Sequence, residues 1–417
     1  MRTSDARGGA APAGHVNGRQ GRDMAHQRTA NTSEPSTGAG AGSMSMVVCS
    51  LEPWGEVRRR LRILVDEIVD LDPTLRVLYV APSTDIPHRL RHGDLGGLTE
   101  ARLTKVHPRI HVLRPRKWLP RVVGGFADSS LERQVLDAVG EIGLHQPLLW
   151  VNDAGYAHFA VRTGWPTLYD ITDDWQLAPL TPRALRRLVA NEELLLDRAG
   201  AVVVCSPDLA RSRGRTRAVE LIPNGVDVEL FRTPRPRPAA LPDGPVALYV
   251  GTLASERLDV DLVLELATAR PDVQVVLVGP NSLSATDTGR LEAVANIHLL
   301  GARPYDQVPA FLQHADVVVI PHGVNPFTES LDPIKAYECV AVGRPTVATP
   351  VAGFRELGPP VVVAGRETFV AAVEAALASA SPPGGPVGTG TAVPSWHDRA
   401  TSMLSLMDRV RGQAVPR

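Results

Sequence analysis

The stretch FTESLDPIKAYECVAVGRPTVATPVAGF, Phe327 to Phe354, passes from a polar turn through a proline-led segment to a glycine, and then into an apolar run. Pro333 has no N–H to lose and a preset φ, so it suits the first turn of a helix, while Gly343 suits the left-handed position after its end. The spacing predicts a helix of about ten residues, handing over to a strand that begins at Thr346. Lys335 and Glu338 stand three apart and share one face near the start of that helix. There the unpaired N–H groups and partial positive charge of the first turn attract an anion such as a phosphate. Taken alone, the pair reads equally as a surface ion pair worth at most about 1 kcal/mol.

Outward from this stretch, apolar runs and amphipathic segments alternate. Short apolar runs stand at Met46–Cys49, Val77–Ala81, Ile110–Leu113, Leu148–Val151, Thr167–Ile171 and Ala201–Cys205, with helical spacing in Leu61–Leu71 and Leu185–Leu196. A second series follows at Val246–Val250, Val273–Val278, Ile297–Leu300, Val317–Ile320, Thr346–Thr349 and Val361–Val363. Such runs separated by helices predict parallel sheets covered on both faces. The expected fold class is α/β: two Rossmann-like, doubly wound domains, residues 46–232 and 246–380, facing a cleft. Between them RTPRPRPAALPDGP, Arg232 to Pro245, is stiff and proline-rich, and 233–245 reads as a linker. Residues 381–394 read as a loop and 395–417 as an amphipathic helix. Residues 1–45, rich in Gly, Ala, Ser and Arg without an apolar run, read as a disordered tail, with Met44 and Met46 as alternative starts.

With 417 residues, 44% hydrophobic and 21% charged, there is enough apolar side chain for two cores. A formal net charge of −1 offers no global attraction to nucleic acid or to an anionic membrane, so neither is expected as a main partner. Cys49, Cys205 and Cys339 lie far apart among apolar residues and predict reduced, buried thiols in a cytoplasmic protein. The tail has no h-region, and no stretch reaches the roughly 18 uninterrupted apolar residues of a membrane span. No Cys/His metal cluster and no GxxxxGK[ST] occurs. The acidic triplets DVD at Asp259–Asp261 and DLD at Asp70–Asp72 read as helix-end charges, so no metal site is expected.

Doubly wound sheets bind ligands at the carboxyl ends of their strands. The residues there are Trp54 and Gly55 after the first run, Asn152 and Asp153 after PLLWV, Asp173 and Asp174 after TLYDI, Gly251 and Thr252 after VALYV, and His322 after VVVIP. Asn224 and Gly225 of PNGVD read as a turn that tolerates positive φ.

The segments LIPNGVDVELF (Leu221–Phe231), VALYVGTL (Val246–Leu253), VVLVGP (Val275–Pro280), NIHLLGARPYDQVPAFLQHADVVVIP (Asn296–Pro321) and DPIKAYECVAVGRPTVAT resemble retaining, nucleotide-sugar-dependent glycosyltransferases of the GT-B fold, family-four type. EPWGEVRRRLRILVDEI and LYDITDDW resemble the subset named after teichuronic acid synthesis. The resemblance implies that Glu338 accepts hydrogen bonds from the two ribose hydroxyls of the donor, which suits a carboxylate with two acceptor oxygens. The family's other glutamate, eight residues earlier, is replaced by Ser330, so Glu329 from a shifted loop, or Ser330 with Asp332, stands in for it near the sugar. Where many relatives clamp the diphosphate with an arginine and a lysine, this chain offers Gly251, Thr252 and Arg257, and Lys335 with its helix N-terminus supplies further positive charge. Arg59 and Arg60 of EVRRRLR match positions usually basic in the subset, and with Trp54, Gly55, Asn152 and Asp153 they are the implied acceptor side. Asp173 suits a residue that orients a sugar hydroxyl or the acceptor, and Asp174 reads as a cap for the next helix.

The implied activity is transfer of a sugar from a nucleotide-sugar donor to a hydroxyl acceptor with retention, without a metal. The nucleotide sugar is a co-substrate, so no cofactor is expected. A lipid-linked acceptor would place the protein at a membrane periphery. The competing classes are a sugar-nucleotide epimerase of the same fold, which forms no glycosidic product, and a non-catalytic sugar-nucleotide-binding protein.

Overall fold

A computed structural model of the chain describes residues 44–55, 59–91, 101–118, 125–178, 180–355, 357–380, 382, 384 and 392–413. The expected tail lies outside these residues apart from Met44 and Ser45, and most of the expected loop at 381–394 lies outside them too. Met44 and Ser45 depart from the tail reading: both are buried, strand β1 (Ser45–Cys49) begins at Ser45, and the Met44 carbonyl accepts from the Arg76 N–H at 2.9 Å.

The strands that follow are β2 (Arg76–Val80), β3 (Thr84–Asp85), β4 (Leu103–His107), β5 (Ile110–Leu113), β6 (Arg116–Lys117), β7 (Leu148–Val151), β8 (Thr167–Ile171), β9 (Ala201–Val204) and β10 (Glu220–Leu221). Seven of these join β1 in one eight-stranded sheet in the order β10-β9-β8-β7-β1-β2-β5-β4, and β3 pairs with β6 separately. Every pairing in the large sheet is parallel except β4 with β5. The central strands are apolar without alternation because helices cover both faces, and their side chains divide into two buried clusters, one on each side. The edge strand β4, LTKVH, carries a lysine and has no such run, which is why the apolar pattern does not reveal it.

The second sheet takes β11 (Val246–Val250), β12 (Gln274–Val278), β13 (Ile297–Gly301), β14 (Val317–Ile320), β15 (Thr346–Ala348) and β16 (Val361–Val363) in the order β13-β12-β11-β14-β15-β16, all parallel. The strand order turns back between β11 and β14, as it does between β1 and β7 in the first sheet. Each turning point opens a crevice at the carboxyl ends of its strands. Three buried, unpaired cysteines lie within these layers.

The chain crosses between sheets earlier than the proline-rich segment. Ile222 is buried with the first sheet, whereas Val226, Phe231 and Leu241 belong to the core of the second. Residues 233–245 lie on the second domain: the Gln313 side chain donates to the carbonyls of Phe231 and Thr233 and accepts from the Arg235 N–H. The return crossing runs alongside the first, where the Val226 N–H donates to the Pro394 carbonyl and the Trp396 N–H to the Val226 carbonyl. A Cβ at Gly225 would lie 2.8 Å from the backbone of Ser395 and Trp396, so only glycine fits. That close approach, and not a positive φ, accounts for the Asn–Gly pair. Beyond it, the helix Trp396–Gln413 buries Trp396, Ala400, Met403, Leu406, Met407 and Val410 against β1, β2 and the helix Arg60–Leu71 of the first domain.

Candidate active site

The helix Ile334–Val342 starts after Pro333 at its N-cap and stops at Gly343, whose φ of 73° is left-handed. Glu338 is 0% exposed, so it is not one half of a surface pair. Lys335 Nζ meets its Oε2 at 2.5 Å, while Oε1 is buried with no hydrogen-bond partner. Burial holds the Glu338 carboxyl above its usual range, with the Lys335 ammonium opposing. The helix therefore carries an acceptor oxygen that no group of the described residues satisfies, and such an atom asks for a donor.

At the carboxyl ends of β11 and β12 the backbone is closely packed, and the Gly251 N–H, expected at the diphosphate, donates to the Val278 carbonyl at 2.9 Å. Gly251 and Gly279 end neighbouring strands, and a Cβ at Gly279 would lie 1.8 Å from the Gly251 carbonyl oxygen, so the strand ends meet only because Gly279 has no side chain. After Thr252 the loop brings Arg257 over the Phe327 ring, 5.9 Å from its centroid. Among the described residues the Arg257 guanidinium makes no ion pair within salt-bridge distance, and its Nε is buried and unbonded. His322 is buried with Nε2 3.3 Å from the Tyr249 hydroxyl. Burial and the nearby Arg257 charge push it down to about 4, so it is neutral at pH 7.

The first domain meets this face with Asp173 and Trp175. Burial raises the Asp173 carboxyl, and the largest opposing influence is Arg257 of the other domain, followed by the Thr172 hydroxyl, Arg59 and Arg60. Trp175 packs against Phe327 with ring centroids 6.4 Å apart. The loop carrying both is anchored from behind: Arg213 makes a two-pronged contact with Asp174, at 2.7 and 3.0 Å, and reaches Glu192 at 3.2 Å. Asp174 also accepts from the Gln176 N–H, capping the short turn Trp175–Leu177.

Several implied site residues are placed otherwise. Ser330 is fully buried, its hydroxyl donating to the Phe327 carbonyl and its own carbonyl accepting from the Ser206 hydroxyl at 2.8 Å, so its side chain is not presented to a sugar. Glu329 turns to Arg355 at 2.5 Å. Asp332 accepts from the Asn224 N–H and the Tyr337 hydroxyl, so it ties the domains together and is not presented to the sugar. Arg60 is likewise consumed: it donates to Asn224 Oδ1 at 3.1 Å and the Ile222 carbonyl at 2.7 Å, and lies 3.6 Å from Asp170. Asn152 holds the β1 and β8 loops through Leu51 N–H and the Asp170 carbonyl, and Asp153 caps the turn Ala154–Tyr156. Arg59 is exposed. Trp54 and Gly55 line a junction cavity of about 730 Å³ with Arg62, Asp227, Tyr305 and Asp306, and Arg62 lies over the Trp54 ring. The reading of strand ends passed over Glu52, although it stands between the first strand and Trp54, where that same rule would have found it.

Residues 244–380 match the family model described as Glycosyl transferases group 1. Over 344 residues the chain is 25% identical to TuaH of Bacillus subtilis (strain 168), a protein assigned as a teichuronic acid biosynthesis glycosyltransferase, with 76% of this chain and 83% of that one aligned. Its fold is similar to that of Anabaena Alr3699/HepE in complex with UDP-glucose, with a TM-score of 0.57 and 16% identity over 89% of this chain and 98% of that chain. It is also similar to a UDP-forming alpha,alpha-trehalose-phosphate synthase from Burkholderia vietnamiensis, with a TM-score of 0.56 and 15% identity over 89% and 95%. Among the described residues no helix is long and apolar enough to cross a membrane, and no group of three or more His, Cys, Asp or Glu could hold a metal ion.

Proposed function

We propose, for a chain that is a glycosyltransferase of GT-B fold with a group 1 domain at residues 244–380, that it moves a sugar from a nucleotide-sugar donor to a hydroxyl acceptor with retention of configuration. The observation that carries this reading is the buried Glu338 with one unsatisfied oxygen, beside Lys335 on the first turns of the helix. A ribose diol supplies the missing donor, since its hydroxyls can give hydrogen bonds to a carboxylate that only accepts. The diphosphate then lies toward Lys335, Thr252 and Arg257, whose charge no carboxylate of the described residues neutralises at contact distance, while the Gly251 N–H is taken by the Val278 carbonyl at 2.9 Å. UDP-glucose bound to the Anabaena relative supports a uridine nucleotide as the first donor to try.

In the reaction the bond between the anomeric carbon and the phosphate oxygen breaks, and the acceptor oxygen bonds to that carbon on the same face. The acceptor proton passes to the departing phosphate oxygen, so no separate protein base is required. Arg257 and Lys335 stabilise the charge that develops on the diphosphate, and they are preorganised for it. Asp173 faces Arg257 from the first domain and orients the acceptor or a sugar hydroxyl. Since Ser330 and Glu329 are engaged elsewhere, sugar recognition falls to other groups of the cleft.

A thermal-shift series with nucleoside diphosphates and their sugars tests the reading. Ligand at one hundred times its dissociation constant stabilises the folded state by about 2.7 kcal/mol. We expect a rise in Tm with at least one nucleoside diphosphate and none with nicotinamide dinucleotides. A response confined to the nicotinamide dinucleotides would sink it.

A further inference from the structure

Glu52 stands just beyond β1, at the carboxyl edge of the central strand of the first sheet. Its backbone is held at both ends: the N–H donates to Ser50 Oγ at 2.8 Å, and the carbonyl accepts from the Ser50 and Tyr79 hydroxyls at 3.0 and 2.9 Å. The carboxylate does not share in this order, because Oε2 is buried and no hydrogen bond from the described residues reaches it. The charged groups around it are Arg59 and Arg60 before and within the first helix, Asp170 and Asp173 at the end of β8, and the Tyr79 hydroxyl on β2. None of them is a ready partner. Arg60 and Asp170 are engaged with each other, Asp173 accepts from the Thr172 hydroxyl, and Arg59 is exposed.

A carboxylate on a firmly held backbone, with a buried oxygen left unsatisfied, is costly unless something outside the chain completes it. It lies on the first domain, beside the Asp173 that faces Arg257, so it is separate from the nucleotide groups of the second. We propose that Glu52 is an acceptor-binding residue, its Oε2 receiving a hydrogen bond from a hydroxyl of a polyhydroxylated acceptor held on the first-domain side of the cleft. This rests on the transferase reading above and adds the acceptor contact to it. Burial pushes the Glu52 carboxyl up to about 7, with Arg59 opposing, Asp173 and Asp170 adding to the rise, and Arg60 opposing. The ionised, hydrogen-bond-accepting form therefore grows in as pH rises through neutrality.

The test uses the full chain and Glu52→Gln, with UDP-glucose as donor and octyl β-D-glucopyranoside as the acceptor probe. The readout is the ratio of transfer to hydrolysis of the donor by water. We expect UDP to bind both proteins equally, and the ratio to fall at least about tenfold in the variant, as for loss of a hydrogen bond to a charged group. The wild-type ratio should rise from about pH 6 to about pH 8 while that of the variant stays flat. The variant should also melt higher than wild type at about pH 8 and no differently at about pH 5, because it no longer buries an unsatisfied charge. An unchanged ratio, zero in both proteins included, overturns the proposal. So does a lower Tm at both pH values, which would make Glu52 part of a fold-stabilising ion pair. Failure of UDP to bind either protein would instead count against the donor reading.

Discussion

At the scale of single residues, burial displaces the ionisation of Glu52, Asp173, His322 and Glu338. His322 is the clearest case for stability. Its folded pKa is about 4 against 6.5 for the ordinary side chain, so between those values the unfolded chain binds a proton that the folded chain refuses. Stability from this residue is thus complete above pH 6.5 and lost as pH falls toward 4, by on the order of 3 kcal/mol at most. Glu52 acts in the opposite sense: its raised pKa adds stability below 4.5 that fades as pH rises through about 7. The difference between two proteins isolates the histidine. Urea unfolding of wild type and His322→Asn across this range should give a wild-type curve that falls more steeply on acidification. Parallel curves would mean that His322 is protonated in the fold. The histidine's place at a strand end was legible from VVVIPH, but its neutral state was not, since that depends first on its burial in the fold and then on Arg257 arriving from another loop.

At the scale of elements, the sequence made the strands and the proline-to-glycine helix readable because each is a local pattern: an unbroken apolar run, or a proline and a glycine at the right separation. It did not make the junction readable. Ser330, Asp332 and Arg60 all looked available, and all are used in contacts between residues more than a hundred positions apart, which no window along the chain can register. The crossing at Ile222–Val226 was hidden in the same way, since the proline-rich stretch after it has the composition of a linker yet lies on the second domain. Gly225 is the tightest point of that crossing. Gly225→Ala puts a methyl 2.8 Å from backbone atoms that have nowhere to retreat. We expect a loss of roughly 1–3 kcal/mol, as for overpacking elsewhere, read as a lower urea midpoint. An unchanged midpoint would show that the two crossing segments separate freely.

At the scale of the whole molecule, two doubly wound sheets place their turning points toward one junction, and the candidate site groups there sort by domain. The second domain offers Glu338 Oε1, Lys335 and Arg257, the set we propose for a ribose and a diphosphate; the first offers Glu52 and Asp173, the set we propose for hydroxyls. The C-terminal helix, by returning to the first domain's core, makes both crossings part of one folded unit. The central claim is that Glu338 waits for the ribose diol, and titration calorimetry of UDP and uridine into Glu338→Gln addresses it most directly. The amide keeps the shape but puts a donor where the diol also donates. Both ligands should weaken by roughly 1.5–3 kcal/mol and by the same factor, because both carry the ribose, while the Tm of the unliganded protein stays near that of wild type. Wild-type affinity for both ligands in the variant would contradict the account.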